Sequence, residues 1–112
     1  MKPIDFHPRA LEFIRMQTAS IRRQIGEALR DLQKGVTPGM PLSRPMSVIA
    51  PGVRELRVGD ETTTVRVFYA TGKIGAIAVF HAFQKKSHKT PMREIDLARR
   101  RLREVLDAKI IF

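Results

Sequence analysis

Apolar residues recur at three- and four-residue intervals over the first third of the chain, then give way to strand-like runs. Ile21, Ile25, Ala28, Leu29 and Leu32 form the buried stripe of an amphipathic helix ended by Gly35. Pro8 followed by Leu11 and Ile14 predicts a shorter helix before it, and the two make an N-terminal helical hairpin. Ahead of them, "KPIDF" is either a short edge strand or an irregular arm. Residues 35–52, "GVTPGMPLSRPMSVIAPG", hold four prolines and three glycines, which predicts a long loop crossing the surface.

After the loop the period changes. "VRELRV", "TTTVRVFYAT" and "KIGAIAVFHAF" are rich in β-branched and aromatic residues and are separated by "GDE" and "GK", each short enough for a hairpin. Three sequential strands then make an antiparallel meander. The third is apolar on both faces, so it belongs inside the sheet with cover on at least one side. Thr90-Pro91 predicts an N-cap and first helical residue. Ile95, Ala98, Leu102, Val105 and Leu106 mark the buried face of a last helix, with Arg99, Arg100, Arg101 and Arg103 mostly outside. The expected fold is α+β: the helical hairpin and the C-terminal helix packed on one face of a small antiparallel sheet, all in a single domain spanning residues 1–112.

Composition adds a strong charge. The 112 residues carry 21 Lys and Arg against 11 Asp and Glu, a net charge of +10. Such an excess favours a polyanionic partner, nucleic acid first and an acidic protein next. Its placement sharpens the point, because Thr62–Thr90 holds Arg66, Lys73, Lys85, Lys86 and Lys89, two histidines and no acid. Without cysteine there is no disulfide, thiol nucleophile or Cys-based metal site. The longest apolar run falls short of the ~20 residues that span a bilayer. Asp5, Arg9 and Glu12 interrupt the N-terminus, so no signal-peptide core is seen and a cytoplasmic protein without membrane contact is expected.

The tract "FHAFQKKSHKTP" sets Lys85, Lys86, His88 and Lys89 where a buried strand surfaces. With a two-residue turn on Gly72-Lys73, Arg66 faces Val79 and shares a sheet face with His81 and Lys85. A three-residue turn puts Arg66 with Gln84 and Lys86 instead. Either register joins Arg66 to the basic exit of the next strand, and Arg57 in "ELRV" adds a further cation. A sheet face bearing Arg57, Arg66 and the Lys85–Lys89 cluster is an anion cradle suited to a phosphate or an RNA backbone.

Such a cradle can also be catalytic. RNA cleavage needs no metal when the neighbouring 2′-OH is the nucleophile; Arg and Lys stabilise the phosphorane charge. A Lys crowded by cations has a lowered pKa and exchanges protons more readily near neutrality. A purely RNA- or DNA-binding patch needs the same residues. His81, on an apolar strand, reads more readily as a satisfied core or near-surface histidine than as a ligand, and Tyr69 as a sheet-packing residue. His7 and His88 pair with it at no metal-ligand spacing, so neither a metal site nor a cofactor is expected.

Glu55-Leu56-Arg57, Arg66, and then Phe83, Lys85-Lys86-Ser87, Lys89-Thr90-Pro91, Glu94-Ile95 and Ala98 to Arg101 follow one another in a distinctive order. This succession, over roughly residues 50–103, resembles the RelE/ParE superfamily of toxins, and within it the phage-derived HigB-type branch. The resemblance implies a RelE-like fold and the toxin of a bacterial type II toxin–antitoxin pair. It implies as partners a small antitoxin, often of helix-turn-helix type, and the ribosome with its mRNA, cut in the A site without metal. By position it assigns Arg57, Arg66, Lys85 and Lys86 to catalysis, with Lys89 and His81 as secondary matches for RNA binding; the acid-free basic tract adds His88 and Lys73 as further RNA-binding residues. Many relatives carry a tyrosine near the C-terminus, whereas this chain ends "LDAKIIF". ParE-type members of the same superfamily poison DNA gyrase by protein contact, and fold alone does not separate the two activities. A catalytically inactive, phage-derived binding module is the third reading.

Overall fold

The alternating stretches assemble into one five-stranded sheet in the computed structural model, which describes residues 1–71 and 75–111. Along the chain come β1 (Ile4–Phe6), α1 (Pro8–Arg15), α2 (Ala19–Gln33), β2 (Ser43–Pro45), β3 (Val53–Gly59), β4 (Thr64–Ala70), β5 (Ile77–Gln84) and α3 (Met92–Ile111). The spatial order is β1-β5-β4-β3-β2. β3, β4 and β5 form the expected antiparallel meander, and the fold class is α+β as expected. The sheet is nevertheless mixed, because "KPIDF" supplies an edge strand that pairs parallel with β5.

The helices start and stop where local chemistry dictates. His7 caps α1 through Nδ1, which accepts from Arg9 N–H at 3.1 Å, and Pro8 opens the first turn. Thr18 caps α2, its hydroxyl accepting from Ile21 N–H at 3.3 Å. Gly35 ends α2 in the left-handed region with φ +88°, a conformation that favours glycine. α3 begins at Met92, so Pro91 occupies the cap position, one residue later than expected.

Two apolar layers sandwich the sheet. Ile14, Ile21, Ile25, Leu29 and Leu32 of α1 and α2 pack on Leu56, Val65, Val67, Tyr69 and Val79. Ile95, Ala98, Leu102 and Val105 of α3 pack on Val53, Phe68, Phe80 and Phe83 of the other face. The helices therefore lie on both faces, not one, which explains why β5 is apolar on both. Each fully buried large side chain contributes roughly 1.5–3 kcal/mol by leaving water.

The register of β4 on β5 differs from both turn-based expectations. Arg66 lies opposite Phe83, and a bulge intervenes between the pairs Phe68↔His81 and Tyr69↔Val79. Paired residues Ala70 and Ala78 leave a connection longer than two or three residues, and the expected Gly72-Lys73 turn falls outside the described residues. At the bulge Phe80 and His81 both turn towards α3. The 35–52 loop also contains a strand: β2 pairs antiparallel with β3, Arg44 opposite Glu55. Among the described residues no helix is long and apolar enough to cross a membrane.

Candidate functional site

Arg57 and Arg66 are direct cross-strand partners on β3 and β4. Like charges placed opposite one another destabilise a sheet unless something balances them. Here the balance is Glu55, two residues before Arg57 on the same face and fully buried. Its Oε1 accepts from Arg44 Nε at 2.9 Å and lies 3.6 Å from Arg66 Nε. Three strands thus meet at one carboxylate, with the Arg44 and Arg66 guanidiniums against it and the positive charge of Arg57 left over. Arg57 Nε, Arg66 Nε and Glu55 Oε2 are buried without a hydrogen-bond partner. The two guanidiniums therefore retain unused donors.

β5 completes the arrangement. Lys85 N–H donates to Thr64 O at 2.8 Å, extending the ladder one residue past the strand and bringing the lysine beside Arg66. The Ser87 hydroxyl donates to Lys89 O at 2.8 Å and shapes the turn that follows. The result is an open depression of about 360 Å³ lined by Arg57, Thr64, Arg66, Lys85, Lys86, Ser87 and His88. Burial, followed by the adjacent Arg66 guanidinium, holds the Lys85 ammonium below the ordinary lysine pKa. Desolvation, rather than the crowding of like charges, is the larger cause. Burial likewise lowers Arg66, with Glu55 opposing and Arg57 and Arg44 reinforcing the shift.

The four residues assigned to catalysis by position thus line one surface, and His88 joins them. Of the other three members of the wider set, Lys89 and His81 do not. Lys89 is exposed on the following turn, away from the depression, and Lys73 lies outside the described residues. His81 is 2 % exposed beneath α3 and cannot meet a large ligand there. Its Nδ1 lies 2.7 Å from Arg101 Nη1 and its Nε2 2.8 Å from Glu94 Oε1. Arg101 can only donate, so Nδ1 accepts and Nε2–H donates to Glu94, the pattern of a neutral imidazole. Tyr69 is buried too, its hydroxyl 2.8 Å from Ser43 Oγ, which makes it a packing residue.

Burial, and then Arg101, depress the His81 pKa below the ordinary 6.5, against the pull of Glu94. The unfolded chain binds a proton on this residue more readily than the folded one. Stability from this group is therefore complete above about pH 6.5 and is lost as pH falls through the depressed folded value. His81→Gln should flatten that acid-side fall in melting temperature; a wild-type melting curve unchanged below neutrality contradicts the arrangement.

Glu55 and Arg44 were missed as site residues. Glu55 stands inside the "ELR" motif and was visible there, but Arg44 sits in a proline-rich stretch whose pairing to β3 has no periodic signal. Among the described residues no group of three His, Asp or Glu is placed to hold a metal ion.

No curated protein is detectably similar to the chain. The family model described as "Phage derived protein Gp49-like (DUF891)" matches residues 12–103, a span that covers α2, the whole meander and most of α3. The chain belongs to this phage-derived Gp49-like family, a family of RelE/HigB-like toxins.

Proposed function

We propose that this protein is the toxin of a type II toxin–antitoxin pair and acts as a ribosome-dependent mRNA endonuclease. The observation that carries the reading is the convergence of Arg57, Arg66, Lys85 and Lys86 on one open depression above a single buried carboxylate. Family membership supports a toxin; the charge arrangement supports RNA as its target, since a dense phosphate field attracts such a surface.

In the proposed reaction the 2′-oxygen of the nucleotide before the cut attacks its own 3′-phosphate. The O2′–P bond forms, the P–O5′ bond breaks, the 2′-OH loses its proton and the departing 5′-oxygen gains one. The products are a 2′,3′-cyclic phosphate and a 5′-hydroxyl. Arg57 and Arg66, which line the depression, stabilise the added charge on the phosphorane with their guanidinium charge. Lys85, whose proton burial has loosened, is assigned to the leaving 5′-oxygen.

That role has a pH signature. Cleavage should fall as pH rises through the Lys85 pKa, at a lower pH than for an ordinary lysine. Lys85→Arg should move the fall upward at a reduced rate, as single-turnover cleavage on stalled ribosomes can show. An unchanged alkaline limb removes Lys85 from the proton transfer. For the reading as a whole, induced cells should show mRNA fragmentation before growth stops. Whole mRNA together with gyrase trapped on DNA assigns the protein to the gyrase-directed class instead.

A further inference from the structure

Beside the cationic depression, and sharing Arg57 and Arg66 with it, lies a second one of about 430 Å³ walled also by Pro41, Leu42, Val58 and Gly59. Its outer wall is apolar and exposed: Leu42 is 36 % exposed and Met40, next to Pro41, 63 %. It is also held in place. Leu42 O accepts from Arg57 N–H at 2.8 Å, so the shelf is fixed to the arginine that it adjoins. The next residue, Ser43, is fully buried, its Oγ 2.8 Å from the Tyr69 hydroxyl and 3.0 Å from Arg54 Nε.

A strand of RNA needs a surface for its bases as well as its phosphates, usually an aromatic ring or a guanidinium plane. Among the described residues Phe68, Tyr69, Phe80 and Phe83 are all buried, and Phe6 and Phe13 pack against the core on the α1–α2 side of the sheet. Among the described residues no aromatic ring lines this second depression, and the exposed His88 imidazole lies on the cationic one instead. We propose that Pro41 and Leu42, with the Arg57 guanidinium at their edge, seat the nucleobase next to the phosphate held by Arg57 and Arg66. The inference rests on the reading of the cationic depression as an RNA phosphate site. The charge pattern commits the shelf to this occupant. Four cations stand beside it, and the one carboxylate in their midst, Glu55, is buried and already bonded to Arg44. A strand that repeats an anion beside a flat, weakly polar group fits both surfaces at once.

The test is fluorescence anisotropy at low salt with two labelled strands of equal length, one a short single-stranded RNA and the other its abasic ribose-phosphate counterpart. The full chain should bind the base-bearing strand about three- to tenfold more tightly, at the lower end of what stacking on an aromatic ring provides. Leu42→Ser should bind both strands alike, and Leu42→Met should restore the preference. Arg66→Ala should weaken both strands by the same factor. Equal binding of the two strands by the wild-type chain, or a preference that survives Leu42→Ser, overturns the proposal. So does an acidic, leucine-bearing peptide that binds more tightly than RNA and is weakened by Leu42→Ser, because the shelf then serves a protein partner. If mRNA stays whole in induced cells while the base preference and its loss persist, the nuclease reading falls and the shelf stands.

Discussion

Arg66→Ala is expected to abolish growth arrest on induction. Arg66 is 7 % exposed, its stem packed on the sheet and its guanidinium between Glu55 and the open depression. A cation preorganised in this way requires no reorganisation when charge builds on the phosphorane. Removing a preorganised donor of this kind costs roughly 10²–10³ in rate. Arg57, Lys85 and Lys86 remain, so phosphate binding should weaken far less than turnover. The variant will also lose some stability, since Glu55 forfeits one of its two guanidinium neighbours. Lys86→Ala separates the two effects: Lys86 lines the same depression but is exposed, and its truncation should change stability by less than about 0.5 kcal/mol. Both variants should let induced cells grow, with only the Arg66 variant melting earlier. Sustained arrest by Arg66→Ala removes the depression from the activity.

The largest effect on folding is expected from Glu55→Ala. Glu55 is fully buried and accepts from Arg44 at 2.9 Å with Arg66 at 3.6 Å. Without it, Arg44, Arg57 and Arg66 face one another across three adjacent strands with no counter-charge. Removing one partner of a fully buried ion pair typically costs 3–5 kcal/mol; Arg44 is about one-third exposed, so we expect roughly 2–4 kcal/mol here. Glu55→Gln keeps the volume and an accepting oxygen and should lie between wild type and alanine. Urea denaturation of the two variants measures the difference. If Glu55→Ala is as stable as wild type, the carboxylate is not what holds the arginines together.

The elements that sequence periodicity could reveal were those whose burial repeats. The stripes Ile21–Leu32 and Ile95–Val105 pack as read, and the "ELR" and "VRVFY" strands pair with Arg57 opposite Arg66. β2 left no such mark, because four prolines in residues 35–52 signal a loop and an edge strand ending at Pro45 tolerates one of them. The register of β5 was illegible for a related reason. "IAVFHAF" is apolar at nearly every position, so no alternation pins which residue faces which side, and the bulge that turns Phe80 and His81 together leaves no trace. His81 shows the limit for the site. Its partners Glu94 and Arg101 lie 13 and 20 residues further on, and only the packing of α3 on the second face brings them to it. Arg57, Arg66, Lys85 and Lys86 were legible as a group because adjacent antiparallel strands bring such residues close whatever the local register.

The most direct measurement of the central claim is the chemistry of the new RNA ends. Purified protein is added to ribosomes translating a defined mRNA, and the upstream fragments are tested for their terminal group. The cationic depression predicts cuts within the translated region that leave a 2′,3′-cyclic phosphate upstream and a 5′-hydroxyl downstream, and no cuts with Lys86→Ala. Intact mRNA, or fragments ending in a 3′-hydroxyl with a 5′-phosphate downstream, contradicts it.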